Sequence, residues 1–257
     1  YAIVLDTSVP ELVISEPNED EKIFSPNGDG NKDIINIFQS GSDEDLWIAY
    51  IKDSLGNTVK SFKWIDGVPD DINWDGLDDS NNMVPDGVYS YKIETTDRAG
   101  NSFTSEFSNI VKNTEETPIT INIDKAYFSP NNDMILDSLI LTPENPVTGG
   151  IISWSVYIND NKGIHRRSFV GEKSVPESII FDGRDSDGIR LEEGSYSATI
   201  EVLYQNGNHP DAVSPMFNID ISPPVASLKS SSSVFSPNGD GLKDEISFYQ
   251  ETSVELN

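Results

Sequence analysis

The sequence predicts an all-β chain built from tandem β-sandwiches, and three observations support this prediction. A ten-residue motif at residues 24–33 (FSPNGDGNKD) recurs at residues 235–244 and, in altered form, at residues 128–137. Apolar and polar residues alternate over runs of about five to eight residues, which is the period of a half-buried strand. No stretch shows a 3.6-residue apolar stripe with helix caps, so we expect strands and turns.

The repeat also sets the expected domain boundaries. The first two motif copies start 104 residues apart, and later landmarks such as Trp47 and Trp154 keep an offset of 107. A proline-containing segment precedes each motif and indicates a short, stiff connector, because proline restricts its predecessor to extended conformations. We expect the end of a preceding repeat in residues 1–9 (its last strand at about 1–6), repeat 1 in 10–117, repeat 2 in 118–222 and the incomplete start of a third repeat in 223–257. The last segment holds too few strands for stability on its own.

The alternation assigns the strands in chain order. Each motif copy is followed by an inward-facing pair, namely Ile35/Ile37, Leu139/Leu141 and Ile246/Phe248. The next strand of each repeat has an inward face with a core tryptophan, namely Trp47/Ala49/Ile51 and Trp154/Val156/Ile158. A later strand of repeat 2 alternates in the same way through Tyr196, Ala198, Ile200 and Val202.

One tyrosine per repeat favours the immunoglobulin-like form of the sandwich. Tyr89 and Tyr196 each follow a glycine turn at the start of a strand, which is where a tyrosine corner bonds the backbone just upstream. The chain has no cysteine. Tyr91 in repeat 1 and Ala198 in repeat 2 each stand where one cysteine of a core disulfide would otherwise be. The predicted fold class is therefore all-β, with tandem immunoglobulin-like β-sandwiches.

Charge and composition exclude several functions. The 257 residues contain 44 acidic and 17 basic residues, a formal net charge of −27. This argues against nucleic-acid binding and against docking to an anionic membrane, both of which need a basic surface. No apolar run is long enough to insert into a membrane. The chain has no cysteine and only two histidines, which argues against thiolate catalysis, thiolate metal sites and histidine-based zinc sites or catalytic triads. An acidic surface favours a soluble monomer.

Two motifs resemble known families. Residues 24–33 resemble the FSPNGDG signature of repeat modules in large exported bacterial proteins and the start of gliding-motility-associated C-terminal domains. Residues 74–91 resemble a block of immunoglobulin-like domains of the flagellar hook-capping (FlgD) type, which also occurs in sorting-type C-terminal domains. Together they cover most of both repeats. Repeat 2 departs from the pattern, with Asn132 and Met134 replacing glycines and Phe181 replacing tryptophan. The resemblance implies a non-enzymatic structural or display role at the cell surface, outer membrane or periplasm.

The motif loop has two interpretations. Oxygen-bearing side chains with intervening glycines partly match a calcium loop, since Ca²⁺ takes 6–8 oxygen ligands. The candidate ligands are Asn27, Asp29, Asn31 and Asp33 in the first copy and Asn238, Asp240 and Asp244 in the third. The alternative is a turn whose side chains bond their own backbone. The middle copy, with Met134 and Leu136, is expected not to bind calcium.

Weaker candidates lie elsewhere. Acidic groups that form either a second cation loop or a polar hairpin tip are Asp75, Asp78 and Asp79 in repeat 1 and Asp182, Asp185 and Asp187 in repeat 2. Trp64 corresponds to Gly171, so the repeat does not require it; it either packs beneath the loop before Trp74 or stacks on a sugar or protein partner. No acid lies in an apolar setting that would raise its pKa, and a two-sheet sandwich offers no obvious deep pocket, so catalysis is not expected.

These observations predict a non-enzymatic spacer of a large exported bacterial protein, stiffened at its joints by Ca²⁺. The alternative is an adhesion or glycan-binding module that is accessory to a larger surface protein or enzyme and binds an unidentified protein or glycan partner. A hook-cap-like assembly role follows from the resemblance alone.

Overall fold

The computed structural model describes residues 5–253, and this part of the chain consists of strands and turns without a helix. Most of the strand predicted at about residues 1–6 lies outside the described residues. Two sandwiches follow one another along the chain, and a hairpin comes after them.

Repeat 1 has eight strands in two sheets. They are β1 (Leu12–Ser15), β2 (Ile23–Phe24), β3 (Ile35–Gly41), β4 (Leu46–Asp53), β5 (Thr58–Ile65), β6 (Asp71–Trp74), β7 (Gly87–Thr96) and β8 (Ser102–Lys112). One sheet has the order β1-β3-β6 and the other the order β2-β8-β7-β4-β5. All pairs are antiparallel except β2 with β8. The motif loop follows β2 and crosses from one sheet to the other.

Repeat 2 repeats this arrangement with its last strand divided in two. Its strands are β9 (Thr120–Ile123), β10 (Tyr127–Phe128), β11 (Leu139–Glu144), β12 (Ile151–Asp160), β13 (His165–Glu172), β14 (Ile179–Phe181), β15 (Gly194–Tyr204), β16 (Asp211–Val213) and β17 (Phe217–Ile219). The sheets have the orders β14-β11-β9 and β10-β17-β15-β12-β13, and β16 also pairs with β15. The parallel pair β10 and β17 corresponds to β2 and β8.

Each repeat has its own apolar core, and the alternation predicted from the sequence is confirmed there. In repeat 1 the side chains of Trp47, Ala49 and Ile51 are fully buried, as are the inward residues of β3. Trp74 packs against the rings of Phe24 and Tyr89, with centroids 5.4 and 4.9 Å apart. Phe181 replaces Trp74 in repeat 2 and is also fully buried. Both cores are complete without a disulfide.

Both tyrosine corners form. The Tyr89 hydroxyl donates to the Pro85 carbonyl oxygen at 2.6 Å, and the Tyr196 hydroxyl donates to the Glu192 carbonyl oxygen at 2.9 Å. Each bond ties the start of a central strand to the turn that precedes it. The predicted immunoglobulin-like sandwich is thus confirmed in both repeats.

The two core tryptophans are not equivalent, which corrects the sequence prediction for Trp154. Trp47 is fully buried and donates to the Ser42 carbonyl oxygen at 3.2 Å, whereas Trp154 is half-buried. Trp154 lies across the neighbouring strand at Gly171, where an added Cβ would come within 2.6 Å of the indole ring. Repeat 1 has Trp64 opposite Trp47 instead. Because repeat 2 has Gly171 where repeat 1 has Trp64, the indole ring of Trp154 can lie across the neighbouring strand.

The segment after repeat 2 forms an isolated hairpin of β18 (Ala226–Ser230) and β19 (Phe248–Thr252). Ile246 is half-buried and Phe248 is 63% exposed, so the predicted inward pair of the third repeat is wrong for this structure. The physical reason is that no second sheet packs on this hairpin within residues 5–253.

Candidate functional site at the joint between the repeats

The first motif folds as a turn closed by its own aspartate. The Asp33 carboxylate accepts hydrogen bonds from the amides of Gly28 and Gly30 at 2.7 and 2.9 Å. Asn27 Oδ1 accepts from the Asp29 amide at 3.0 Å, and Asp29 Oδ1 accepts from the Asn31 amide at 2.7 Å. Both glycines have positive φ, at 82° and 87°, where a side chain would be strained. Glycine is therefore the residue that adopts this turn with the least strain.

All three motif copies share this geometry. Asp137 accepts from the amides of Asn132 and Met134 at 2.7 Å each. Asp244 accepts from Gly239 and Gly241 at 2.9 and 2.7 Å. The middle copy thus keeps the turn although it lacks both glycines, because Asn132 and Met134 adopt positive φ angles of 66° and 68°. The motif is a robust structural turn in every copy.

The calcium interpretation remains a prediction. Within residues 5–253 no three His, Asp or Glu side chains gather into a metal-binding group. A cation at the first or third motif would therefore draw several of its oxygens from amides, carbonyls or water. Hydrogen bonds from the amides of Gly239 and Gly241 lower the pKa of Asp244. A hydrogen bond from the Leu242 amide lowers the pKa of Asp240. Both side chains are thus ionised at neutral pH.

The first motif loop contacts repeat 2, a feature that the sequence analysis missed. Lys32 Nζ donates to the Gln205 carbonyl oxygen at 2.7 Å, and Asn27 Nδ2 donates to Asn208 Oδ1 at 3.2 Å. The backbone of Gly207 approaches so closely that an added Cβ would lie 2.7 Å from the Asn31 carbonyl oxygen. The motif therefore lies at the joint between the repeats, against the turn at residues 205–210 that joins β15 to β16.

Hydrogen bonds from both repeats also fix the connector between them. Asn206 Nδ2 donates to the Asn113 carbonyl oxygen at 3.2 Å, and Asn208 Nδ2 donates to the Glu115 carbonyl oxygen at 2.8 Å. On the other side, the Asp86 carboxylate accepts from the Thr114 amide at 2.8 Å and from Lys112 Nζ at 2.5 Å. An open cavity of about 370 Å³ remains beside these contacts.

An acid at the same place in repeat 2 holds the next connector. Glu193, the counterpart of Asp86, accepts from the Ile221 amide at 2.9 Å and from the Ser222 hydroxyl at 2.7 Å. These hydrogen bonds, that of Ser222 first, lower the pKa of Glu193. The signal in the sequence was an acid just before the turn glycine, Gly87 or Gly194, in both repeats.

The weaker acidic groups form hairpin turns. Asp78 accepts from the amides of Ser80 and Asn82, each at 2.8 Å, and the hydrogen bond from Asn82 lowers its pKa. Four other carboxylates of these groups also accept hydrogen bonds: Asp75 from the Leu77 amide, Asp79 from the Ser61 amide, Asp182 from Arg167, and Asp185 from the amides of Asp187 and Ile189. The structure does not bring the two acidic groups together, because they belong to different repeats. A cation at either turn remains a prediction.

Trp64 lies half-buried on β5 and packs against the core of repeat 1. Its ring stacks on that of Phe62, with centroids 5.8 Å apart and an interplanar angle of 6°. Packing of Trp64 beneath the loop before Trp74 remains a prediction. Binding of a sugar or partner by Trp64 remains a prediction.

Repeat 1 carries an open cleft of about 640 Å³, although the sequence suggested no obvious deep pocket. The cleft lies beside the motif loop and is lined in part by the segment between β1 and β2. Its three carboxylates are occupied: Glu16 accepts from Lys22 Nζ, Glu21 from the Asn18 amide, and Asp33 from the motif amides.

The fold and the joint define a class, that of tandem immunoglobulin-like β-sandwich repeats. In the described part of the chain no helix is long and apolar enough to cross a membrane. No family model matches the sequence. No curated protein matches it.

Solved structures similar to this chain include several bacterial repeat regions. One is a tetra-tandem repeat in the extending region of a large adhesion protein, with 13% identity, a TM-score of 0.32, and coverage of 95% of this chain and 62% of that one. A structure from a 1.5-MDa bacterial ice-binding adhesin has 14% identity, a TM-score of 0.42, and coverage of 87% and 68%. The fibronectin(III)-like modules of Clostridium thermocellum CbhA have 11% identity, a TM-score of 0.39, and coverage of 79% and 93%.

Identities and TM-scores this low carry no argument about function. The fold class therefore rests on the sheets and tyrosine corners described above. The finer resemblance to hook-capping and gliding-motility domains remains a prediction.

Proposed function

We propose that this chain is a non-enzymatic spacer from a large exported bacterial surface or periplasmic protein. The observation that carries the proposal is the joint, where Asn27 and Lys32 of one repeat bond the next repeat. Each sandwich completes its own core, and the strong negative charge favours a soluble chain. These features suit a module whose task is to hold distance and direction.

Binding assays test the spacer role against its alternative. The full chain, immobilised at one end, is exposed to a glycan array and to extracellular matrix proteins. A spacer gives no saturable binding, whereas saturable binding by any probe contradicts the proposal and favours an adhesion or glycan-binding module.

One observation favours that second candidate. The cleft of repeat 1 is bordered by Phe38, which is 56% exposed, and by Ile34, which is 42% exposed. An exposed aromatic ring beside an open cleft is a common element of sugar and peptide sites. If an array identifies a ligand, Phe38→Ala should abolish its binding. The control is Val170→Ala, since Val170 is an exposed apolar residue on a strand of repeat 2.

Calcium stiffening is the finer part of the proposal. The hydroxyl of Ser25 in the first motif is buried and has no hydrogen-bond partner within residues 5–253, which leaves one oxygen uncommitted beside the loop. Calorimetric titration of calcium into the full chain measures binding. Thermal melting with calcium or chelator then compares the wild type with Asp33→Asn and with Asp137→Asn, which alters the same turn in the copy expected not to bind.

The expected result is a calcium-dependent rise in the melting midpoint that Asp33→Asn reduces and Asp137→Asn preserves. A midpoint that calcium and chelator leave unchanged contradicts calcium stiffening, while the spacer role itself stands or falls with the binding assays.

A further inference from the structure

The contact between the motif loop and the next repeat has the features of specific recognition. We name residues 27–32 the docking loop and residues 205–210 the receiving turn. We propose that the docking loop recognises the receiving turn of the repeat that follows it, and that the pair locks repeats 1 and 2 into one rigid unit without a metal ion. The partner that the docking loop fits is an amide-rich turn with a glycine at its centre.

The first argument is the close backbone approach at Gly207. Its φ is 95°, and an added Cβ would lie 2.7 Å from the Asn31 carbonyl oxygen and 2.9 Å from Lys32 Cβ. The equivalent Gly100 of repeat 1 has a similar φ of 92° but nothing within 4 Å of an added Cβ. Both turns need a glycine for their shape, whereas only the receiving turn needs one to admit its partner.

The second argument is that equivalent asparagines in the two turns have different hydrogen-bond partners. In repeat 1, Asp97 accepts hydrogen bonds from the amide and the side chain of Asn101, both at 2.8 Å, so that turn is closed on itself. Tyr204 replaces Asp97 in repeat 2. Asn208, the counterpart of Asn101, is therefore released to bond both Asn27 and the Glu115 carbonyl oxygen.

The third argument is the lysine of the docking loop. Lys32 Nζ joins the Asp20 carbonyl oxygen of its own repeat to the Gln205 carbonyl oxygen of the next, each at 2.7 Å. A cation that bridges two carbonyl groups replaces part of what a metal ion would do. The third motif copy has Lys243 at this place, whereas the middle copy has Leu136.

The middle copy lacks the lysine that makes this bridge. Met134, Ile135 and Leu136 form its tip and are 95%, 67% and 53% exposed. This tip therefore lacks the side chain that joins the docking loop to the receiving turn in the first copy.

The test measures the distance between the repeats in the full chain. Because the chain has no native cysteine, nitroxide labels can be placed at Ser54→Cys and Asn161→Cys, equivalent exposed turns of the two repeats. Pulsed electron resonance in excess chelator should give a single narrow distance distribution. Gly207→Ala should lose it, whereas Gly100→Ala, with the same backbone strain, should keep it.

A second pair of variants guards against misfolding. Lys32→Ala should also broaden the distribution, and Lys243→Ala should leave it unchanged, with the circular dichroism melts of both repeats confirming that each variant is folded. A broad wild-type distribution that narrows only with calcium overturns the inference. So does a Gly207→Ala distribution as narrow as the wild type, or equal broadening by both glycine variants. Ligand binding in the array assays would reject the spacer role without affecting this result.

Discussion

A buried polar pair in repeat 1 provides the most informative stability prediction. The Tyr91 hydroxyl donates to Gln39 Oε1 at 2.8 Å, and both side chains lie in the core, at 0% and 4% exposure. Gln39 Nε2 is buried without a hydrogen-bond partner in the described part of the chain. Repeat 2 builds the same core with Pro143 and Ala198 at these positions. The fold therefore does not need the pair.

The magnitudes follow from what each substitution leaves behind. Tyr91→Phe leaves the whole Gln39 amide unpaired, and Gln39→Leu leaves the Tyr91 hydroxyl unpaired, so each should cost about 1–3 kcal/mol. The double variant removes both polar groups and should lie within about 1 kcal/mol of the wild type. Each single change should lower the melting midpoint of repeat 1 by about 4 °C or more.

Chemical denaturation of the four proteins completes a double-mutant cycle. The expected result is a double variant clearly more stable than the sum of the single changes predicts. Additive losses would refute the reasoning, because they would show that the two polar groups do not depend on one another. Leu139→Ala in repeat 2 is a suitable control, since it should affect only the other transition.

Three further predictions concern the motif, the connectors and the terminal hairpin. Met134→Gly should stabilise repeat 2 by about 0.5–1 kcal/mol in chemical denaturation, because it relieves a φ of 68° at a side chain that is 95% exposed; no gain would show that the turn is unstrained. Burial acts to raise the pKa of Asp86, but hydrogen bonds from Lys112 and Thr114 outweigh it, so the pKa of this carboxyl, like that of Glu193, lies below its ordinary value. Their contribution to stability is therefore present at neutral pH and is lost as the pH falls below the unfolded values near 3.8 and 4.5; hydrogen exchange should show the Thr114 and Ile221 amides losing protection in acid, and constant protection would contradict the linkage. Deleting residues 223–257 should leave the unfolding free energy of each repeat within about 0.5 kcal/mol of the wild type, because among the described strands β18 and β19 pair only with each other; a larger loss would reveal an unrecognised contact.

The sandwich was predictable because its signals are local. Alternation with a period of two identified the inward faces of β4 and β15, and the placement of Tyr89 and Tyr196 identified the corner hydrogen bonds. These features depend on a few neighbouring residues, so one sequence is sufficient to recognise them.

The joint was not predictable in the same way. Asn27 and Asn208 are 181 residues apart, and no motif or period of the sequence links the two positions. The tilt of Trp154 was missed for a related reason, since it depends on Gly171 of the neighbouring strand. The sequence did hold one usable signal: at equivalent places Tyr204 replaces Asp97, which leaves Asn208 without the partner that closes the turn of repeat 1.

The most direct test of a rigid joint between the two repeats is ¹⁵N NMR relaxation of the full chain in chelator, with amides of both repeats assigned. A locked pair predicts one common rotational correlation time for the core amides of residues 10–222. Two separate and shorter correlation times, one for each repeat, would show independent tumbling about the connector and would contradict the account.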